Sequence, residues 1–207
     1  MAIKPILFNT EMVRAILDGI KGSTRRIVKG FIPNDAVWGY TAFTPKGYIS
    51  CRGTFADGYG EKFFKLPCEP GNILYVREAW KKAPNGYYYY EDWQKNDIAD
   101  VTKWKPSIHM PKEAARIWLK VTDVRVERLQ DVTEDGAKAE GAIDNRGFIH
   151  SPENEYDSIH TAREHFAEIW NSTIKKSDID RYGWNANPWV WIIEFEWCEK
   201  PKEERGK

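Results

Sequence analysis

The chain has 207 residues, with 31 Lys and Arg offset by 31 Asp and Glu, so its formal net charge is zero. That length supports one sizeable domain with a real core, and the charge balance excludes a protein that coats nucleic acid by bulk electrostatics while leaving room for a local basic cleft. No apolar run reaches the roughly 18 residues of a membrane span, the first residues lack a secretory stretch, and three scattered cysteines show no CxxC spacing. The expectation is a cytoplasmic protein with no membrane partner, no disulfide framework and no zinc site.

In chain order, Ile6 to Phe8 reads as a strand. Glu11 to Asp18 reads as a helix, with Thr10 as its cap, Met12, Val13, Ile16 and Leu17 as its apolar face, and Gly19 at the left-handed position that ends it. The stretch from Lys21 to Arg26 is then expected to be a loop, with a strand starting at Ile27-Val28. Val37 to Phe43 and Gly47 to Thr54 flank the hairpin signal Thr44-Pro45-Lys46, and Glu61 to Leu66 follows as a third strand. Pro70-Gly71-Asn72 turns into a strong strand, Ile73 to Arg77.

From Lys81 to Lys103 the chain is polar and aromatic, with Tyr87 to Tyr90 in a row, and too short to bury its own core. An extended link runs from Trp104 to Pro111. Ile117 to Leu129 alternates as a strand, and Thr133 caps a short helix, Glu134 to Glu140, closed by Gly141. Tyr156 to Thr173 reads as the longest helix, with Ile159, Phe166, Ile169 and Trp170 on one side. Trp189 to Cys198 is an alternating terminal strand, and residues 199–207 form a charged tail expected to be disordered. The pattern predicts a single α+β domain over residues 1–198, with an aromatic-rich insertion at about 81–103. Many short strands with peripheral helices favour a small mixed β-barrel.

The densest chemistry lies behind the first helix, where Lys21, Ser23, Thr24, Arg25 and Arg26 put three cations and two hydroxyls into six residues. An amine three residues from a hydroxyl, with guanidinium groups alongside, suits an anion-binding site or an activated nucleophile. A solvated basic turn is the plain alternative. Arg77 and Trp80 are candidates for stacking on a base, against a plain packing role for the Trp. The run Tyr87 to Tyr90 is a candidate stacking platform. His160 and His165, read as two positions of one helix, point in different directions and make no typical metal pair. Trp189, Trp191 and Trp197 share one parity of the last strand and read as one face of the barrel.

Gly19-x-Lys21-x-x-Thr24-x-Arg26 resembles the G-x-K-x-x-T-x-R signature of the ASCH domain, a relative of the PUA RNA-binding fold. Pro70 to Trp80 is similar to that family's strand entering the barrel. The run Trp104 to Arg116, followed by Val124 to Leu129 and Thr133 to Gly141, resembles the prophage-encoded branch. The resemblance implies a PUA-like barrel with a basic cleft for RNA or a modified nucleobase, with no cofactor and no metal. Some small members are amidohydrolases that remove the acetyl group of N4-acetylcytidine with a Lys, a Thr and a Glu. By motif position these fall on Lys21, Thr24 and Glu140, the last within Thr133-Glu134-x-x-Ala137-x-x-Glu140, with Ser23, Arg25, Arg26, Arg77 and Trp80 as substrate-binding residues. Other members are proposed ribonucleases or non-catalytic RNA-binding modules, so the implied partner is RNA or a nucleoside in each case. The chain departs from the commonest loop at Ile20, where Arg is frequent, and at Gly22, where Thr or Ser is frequent.

Overall fold

The computed structural model describes residues 1–93, 103–146 and 160–202. Among these the strands are β1 Ile3–Leu7, β2 Ser23–Ile27, β3 Val37–Gly39, β4 Tyr48–Phe55, β5 Gly58–Lys65, β6 Ile73–Arg77, β7 Trp80–Ala83, β8 Gly86–Tyr89, β9 Trp118–Arg128 and β10 Trp189–Trp197. The helices are α1 Thr10–Leu17, α2 Tyr90–Trp93, α3 Glu134–Ala139, α4 Ala162–Thr173 and α5 Ile179–Tyr182. The architecture is mixed α+β. Its sheets hold five, three and two strands, and none closes on itself among the described residues. The chain divides into two compact units, and β9 and β10 each run from one into the other.

The first unit comprises Met1–Gly22, Pro70–Thr122 and Phe195–Lys207. Here β1 lies parallel to β6, from Ile3 opposite Ile73 to Leu7 opposite Arg77, and β6 pairs antiparallel with the start of β9. The cap of α1 is Asn9, whose side chain accepts the Met12 N–H at 2.9 Å, so Thr10 is the first helical residue and not the cap. Gly19 ends the helix at φ +72, as its position predicts. Val13 and Ile16 are the buried part of the apolar face, while Leu17 is largely exposed.

The aromatic stretch after Trp80 is tied down where it is described. β7 and β8 form a hairpin with Trp80 opposite Tyr89, and alternation sets Trp80, Tyr87 and Tyr89 on one side. That side packs on a cluster of Ile73, Tyr75, Met110, Ala114, Ala115 and Trp118, and the Tyr89 hydroxyl donates to the Ala114 carbonyl at 2.7 Å. The four tyrosines therefore do not present one platform: two of them pack on the core cluster. The remainder of the expected insertion, 94–102, lies outside the described residues.

The second unit comprises Ser23–Glu69 and Asp123–Glu194. Its three-stranded sheet has the order β3-β4-β5, with the β4–β5 hairpin closing at Phe55 opposite Gly58, where φ is +109. β3 stops at Gly39, short of the expected Phe43, because the chain turns through Thr41 and Thr44, whose side chains bond to each other and to the Thr41 N–H. β2 pairs antiparallel with β10. Behind this pair sits the unit's main core: Leu129, Val132 and Ala137 meet Phe166 and Trp170 of α4, and Val190 and Ile192 of β10. α4 starts after a capping box in which Thr161 and Glu164 exchange side-chain bonds with each other's backbone N–H. The longest helix thus begins six residues later than its apolar pattern suggests; of the expected first turn, 156–159 lie outside the described residues, as do 203–207 of the tail.

Candidate functional site

The expected basic loop is a strand. Ser23 to Ile27 pairs residue for residue with β10, with Thr24 opposite Ile193, Arg25 opposite Ile192 and Arg26 opposite Trp191. Lys21, Ser23, Thr24 and Arg25 are all buried, which rules out the solvated turn. The sequence looks like a surface because it is so polar, but its polar groups are taken up inside the fold.

Strand alternation sends Ser23, Arg25 and Ile27 to one face and Thr24 and Arg26 to the other. Arg25 shares its face with Ile192 and Ile27, which pack against α4 and the α3 region. There its Nη1 donates to Glu140 Oε1 at 3.0 Å, with both side chains only 5% exposed. The guanidinium carbon lies 5.6 Å from the centre of the Phe166 ring. Glu140 is the C-cap of α3, its own N–H bonded to the Ala137 carbonyl at 3.1 Å, and Gly141 leaves the helix at φ +93. The start of that helix is fixed by Thr133, whose hydroxyl accepts the Gly136 N–H at 3.0 Å, as its position predicts.

Burying a carboxylate and a guanidinium together costs hydration that the attraction between them only roughly repays, so the pair is a weak reason for stability. Arg26 on the opposite face also feels Glu140. Burial holds its pKa below the ordinary arginine value, and the Glu140 charge pulls the other way. One carboxylate thus acts on two guanidinium groups, while Thr24, also buried, lies on the strand face away from Arg25.

Lys21 belongs to the first unit. Its backbone N–H bonds to the Ala15 carbonyl at 2.9 Å, and its buried ammonium lies 5.5 Å from the centre of the Phe8 ring. Gly22 follows with its carbonyl accepting the Phe195 N–H at 2.9 Å, and a β-carbon there would rest at an ordinary 3.8 Å from the Phe195 oxygen. Neither φ nor space demands glycine at position 22.

Arg77 and Trp80 are committed inside the first unit. Arg77 donates to the Ile108 carbonyl and to the Tyr75 hydroxyl, each at 3.2 Å. Trp80 is 5% exposed within the core cluster, so it is a packing residue and not a base-stacking surface. His160 also departs from the reading of it as a helical residue. It precedes the first turn of α4, and its ring stacks on His165 with centroids 4.8 Å apart. Among the described residues no three His, Cys, Asp or Glu side chains are grouped to hold a metal ion.

Two features of the site had no signal in the sequence. Phe166 is legible as an apolar helix position but not as the wall of a guanidinium. Trp38 gathers Trp189 and Trp191, at 5.8 and 6.2 Å between ring centroids, into an aromatic cluster on the Arg26 side of the β2–β10 pair.

Fold and site together define a mixed α+β protein whose short basic strand is buried against a helix-terminal glutamate. Compared with models of protein families, with curated proteins and with solved structures, the chain gives no match.

Proposed function

We propose that the protein is an ASCH-type member of the PUA-like fold that binds RNA or a modified nucleobase and hydrolyses the N4-acetyl amide of acetylcytidine. The observation that carries this reading is the buried Arg25–Glu140 pair, 3.0 Å apart, with Thr24 and Arg26 on the same strand. A protein gains little stability from such a pair compared with apolar packing, whereas buried charges are common where a site does chemistry. The motif resemblance adds Lys21 to Thr24 and Glu140 as the reactive residues, and all three are buried.

In this reading the Thr24 hydroxyl oxygen adds to the acetyl carbonyl carbon, and its proton passes to the base that the motif resemblance assigns to Lys21. Thr hydroxyl is a poor nucleophile unaided and needs such a base. The C–N bond then breaks as the base gives that proton to the leaving cytosine amine, and water attacks the acetyl ester to release acetate. Glu140 takes the proton from that water and returns it to the departing Thr24 oxygen, and the Arg26 charge offsets the oxyanion.

The test is to incubate the purified protein with N4-acetylcytidine and, separately, with total RNA. Release of acetate, lost in Lys21→Ala and Thr24→Ala and reduced but measurable in Glu140→Gln, supports the reading. Shortened RNA with intact acetylcytidine identifies a ribonuclease instead. RNA affinity that weakens with salt, with no product in either assay, identifies a non-catalytic binder.

A further inference from the structure

We propose that Arg25, which lies outside the Gly19-x-Lys21-x-x-Thr24-x-Arg26 spacing, is a positioning residue that fixes the Glu140 carboxylate for the reaction. The inference rests on the reading of Glu140 given above.

Glu140 sits where a carboxylate is doubly disfavoured. It is buried, and it caps the C-terminal end of α3, where the exposed carbonyls of the last turn present negative charge. α3 is only six residues long, so its end is held in place by what it touches more than by its own hydrogen bonds. Arg25 brings a cation to it from a strand 115 residues earlier in the chain.

The guanidinium is oriented from three directions. The β2–β10 ladder fixes its backbone opposite Ile192, the Phe166 ring lies along it, and Glu140 takes Nη1. A guanidinium held in this way presents Nη1 to one carboxylate oxygen from a fixed direction, so it sets orientation as well as charge. A lysine ammonium keeps the charge but not the plane. Arg26, which also feels the Glu140 charge, is the next residue on the strand and points to its other face.

The test is steady-state kinetics on N4-acetylcytidine for wild type, Arg25→Lys, Arg25→Met, Glu140→Gln and the Arg25→Met/Glu140→Gln double variant. Loss of a group that orients a reacting residue typically costs 10- to 100-fold. We expect kcat to fall about tenfold in Arg25→Lys and about a hundredfold in Arg25→Met, with KM within about twofold in both. In the Glu140→Gln background, Arg25→Met should change nothing further, because it acts through the missing carboxylate. If Arg25→Met does not fold, Arg25→Lys and the uncharged double variant carry the comparison. Wild-type kcat in Arg25→Lys, or losses that multiply in the double variant, overturn the inference and leave the reading of the site intact. A wild type that is inert on the nucleoside overturns that reading, and the role of Arg25 falls with it.

Discussion

Removing the Glu140 carboxylate should destabilise the protein far more than removing a carboxylate from a surface pair of the same length. In Glu140→Ala the Arg25 guanidinium, 5% exposed, keeps its charge and loses the acceptor 3.0 Å from Nη1. Breaking a buried pair in this way costs about 3–5 kcal/mol, a large share of the roughly 5–15 kcal/mol that holds a domain together. The internal reference is Glu196→Ala, which breaks a 3.1 Å contact with Lys120 between side chains 55% and 51% exposed. Such pairs contribute about 0–1 kcal/mol. Urea unfolding followed by Trp fluorescence separates the two: with a slope of about 2.5 kcal/mol per molar, the midpoint should fall by about 1.5 M in Glu140→Ala and by less than about 0.4 M in Glu196→Ala. Adding Arg25→Met to Glu140→Ala should recover part of the loss, since the guanidinium that lost its acceptor is then gone. A Glu140→Ala midpoint within the range of the surface control would refute the argument that this pair is desolvated.

Other consequences are independent of the site. Asp144 accepts from Arg146 through its side chain and backbone, which holds its carboxyl at about 2 instead of the usual 3.8. A depressed carboxyl favours the folded state above its unfolded value, so that contribution is lost as pH falls through about 2; carbon-detected titration should show the low midpoint, and Arg146→Gln should raise it towards the ordinary one while the Arg146 backbone N–H bond still holds it below. Burial pushes the Cys51 thiol up to about 11, so iodoacetamide at pH 8 should label it in urea and leave it untouched in the folded protein. Trp80→Ala should cost about 3–5 kcal/mol in urea unfolding by emptying its place in the core. If it instead left stability unchanged and weakened only RNA binding, the packing role given to Trp80 would be wrong.

What could be read from the sequence was mostly what local chemistry decides. Gly19 and Gly141 end their helices, and Thr133 starts α3, because cap residues satisfy backbone groups within a few positions of themselves. Asn9 displaced Thr10 as the cap of α1, a choice between neighbours of nearly equal capping strength. β2 was missed for the opposite reason. Its residues, Ser23-Thr24-Arg25-Arg26-Ile27, carry no apolar alternation, and what buries them is Glu140 and Phe166, far along the chain. The tyrosine run looked like a platform until the hairpin register divided it between two faces. His160 was assigned to the wrong element because the helix start depends on the Thr161 capping box, and apolar periodicity alone runs past it.

The central claim is that the polar strand Ser23–Ile27 and Glu140 are buried to do chemistry on an acetylated base. Acetate release from N4-acetylcytidine by wild type and Thr24→Ala, measured side by side with circular dichroism confirming that both are folded, tests it most directly. The account predicts turnover by wild type and at least a hundredfold loss on removing the hydroxyl, the order expected for an essential nucleophile. Equal rates from the two folded proteins, or no acetate from either, would contradict it.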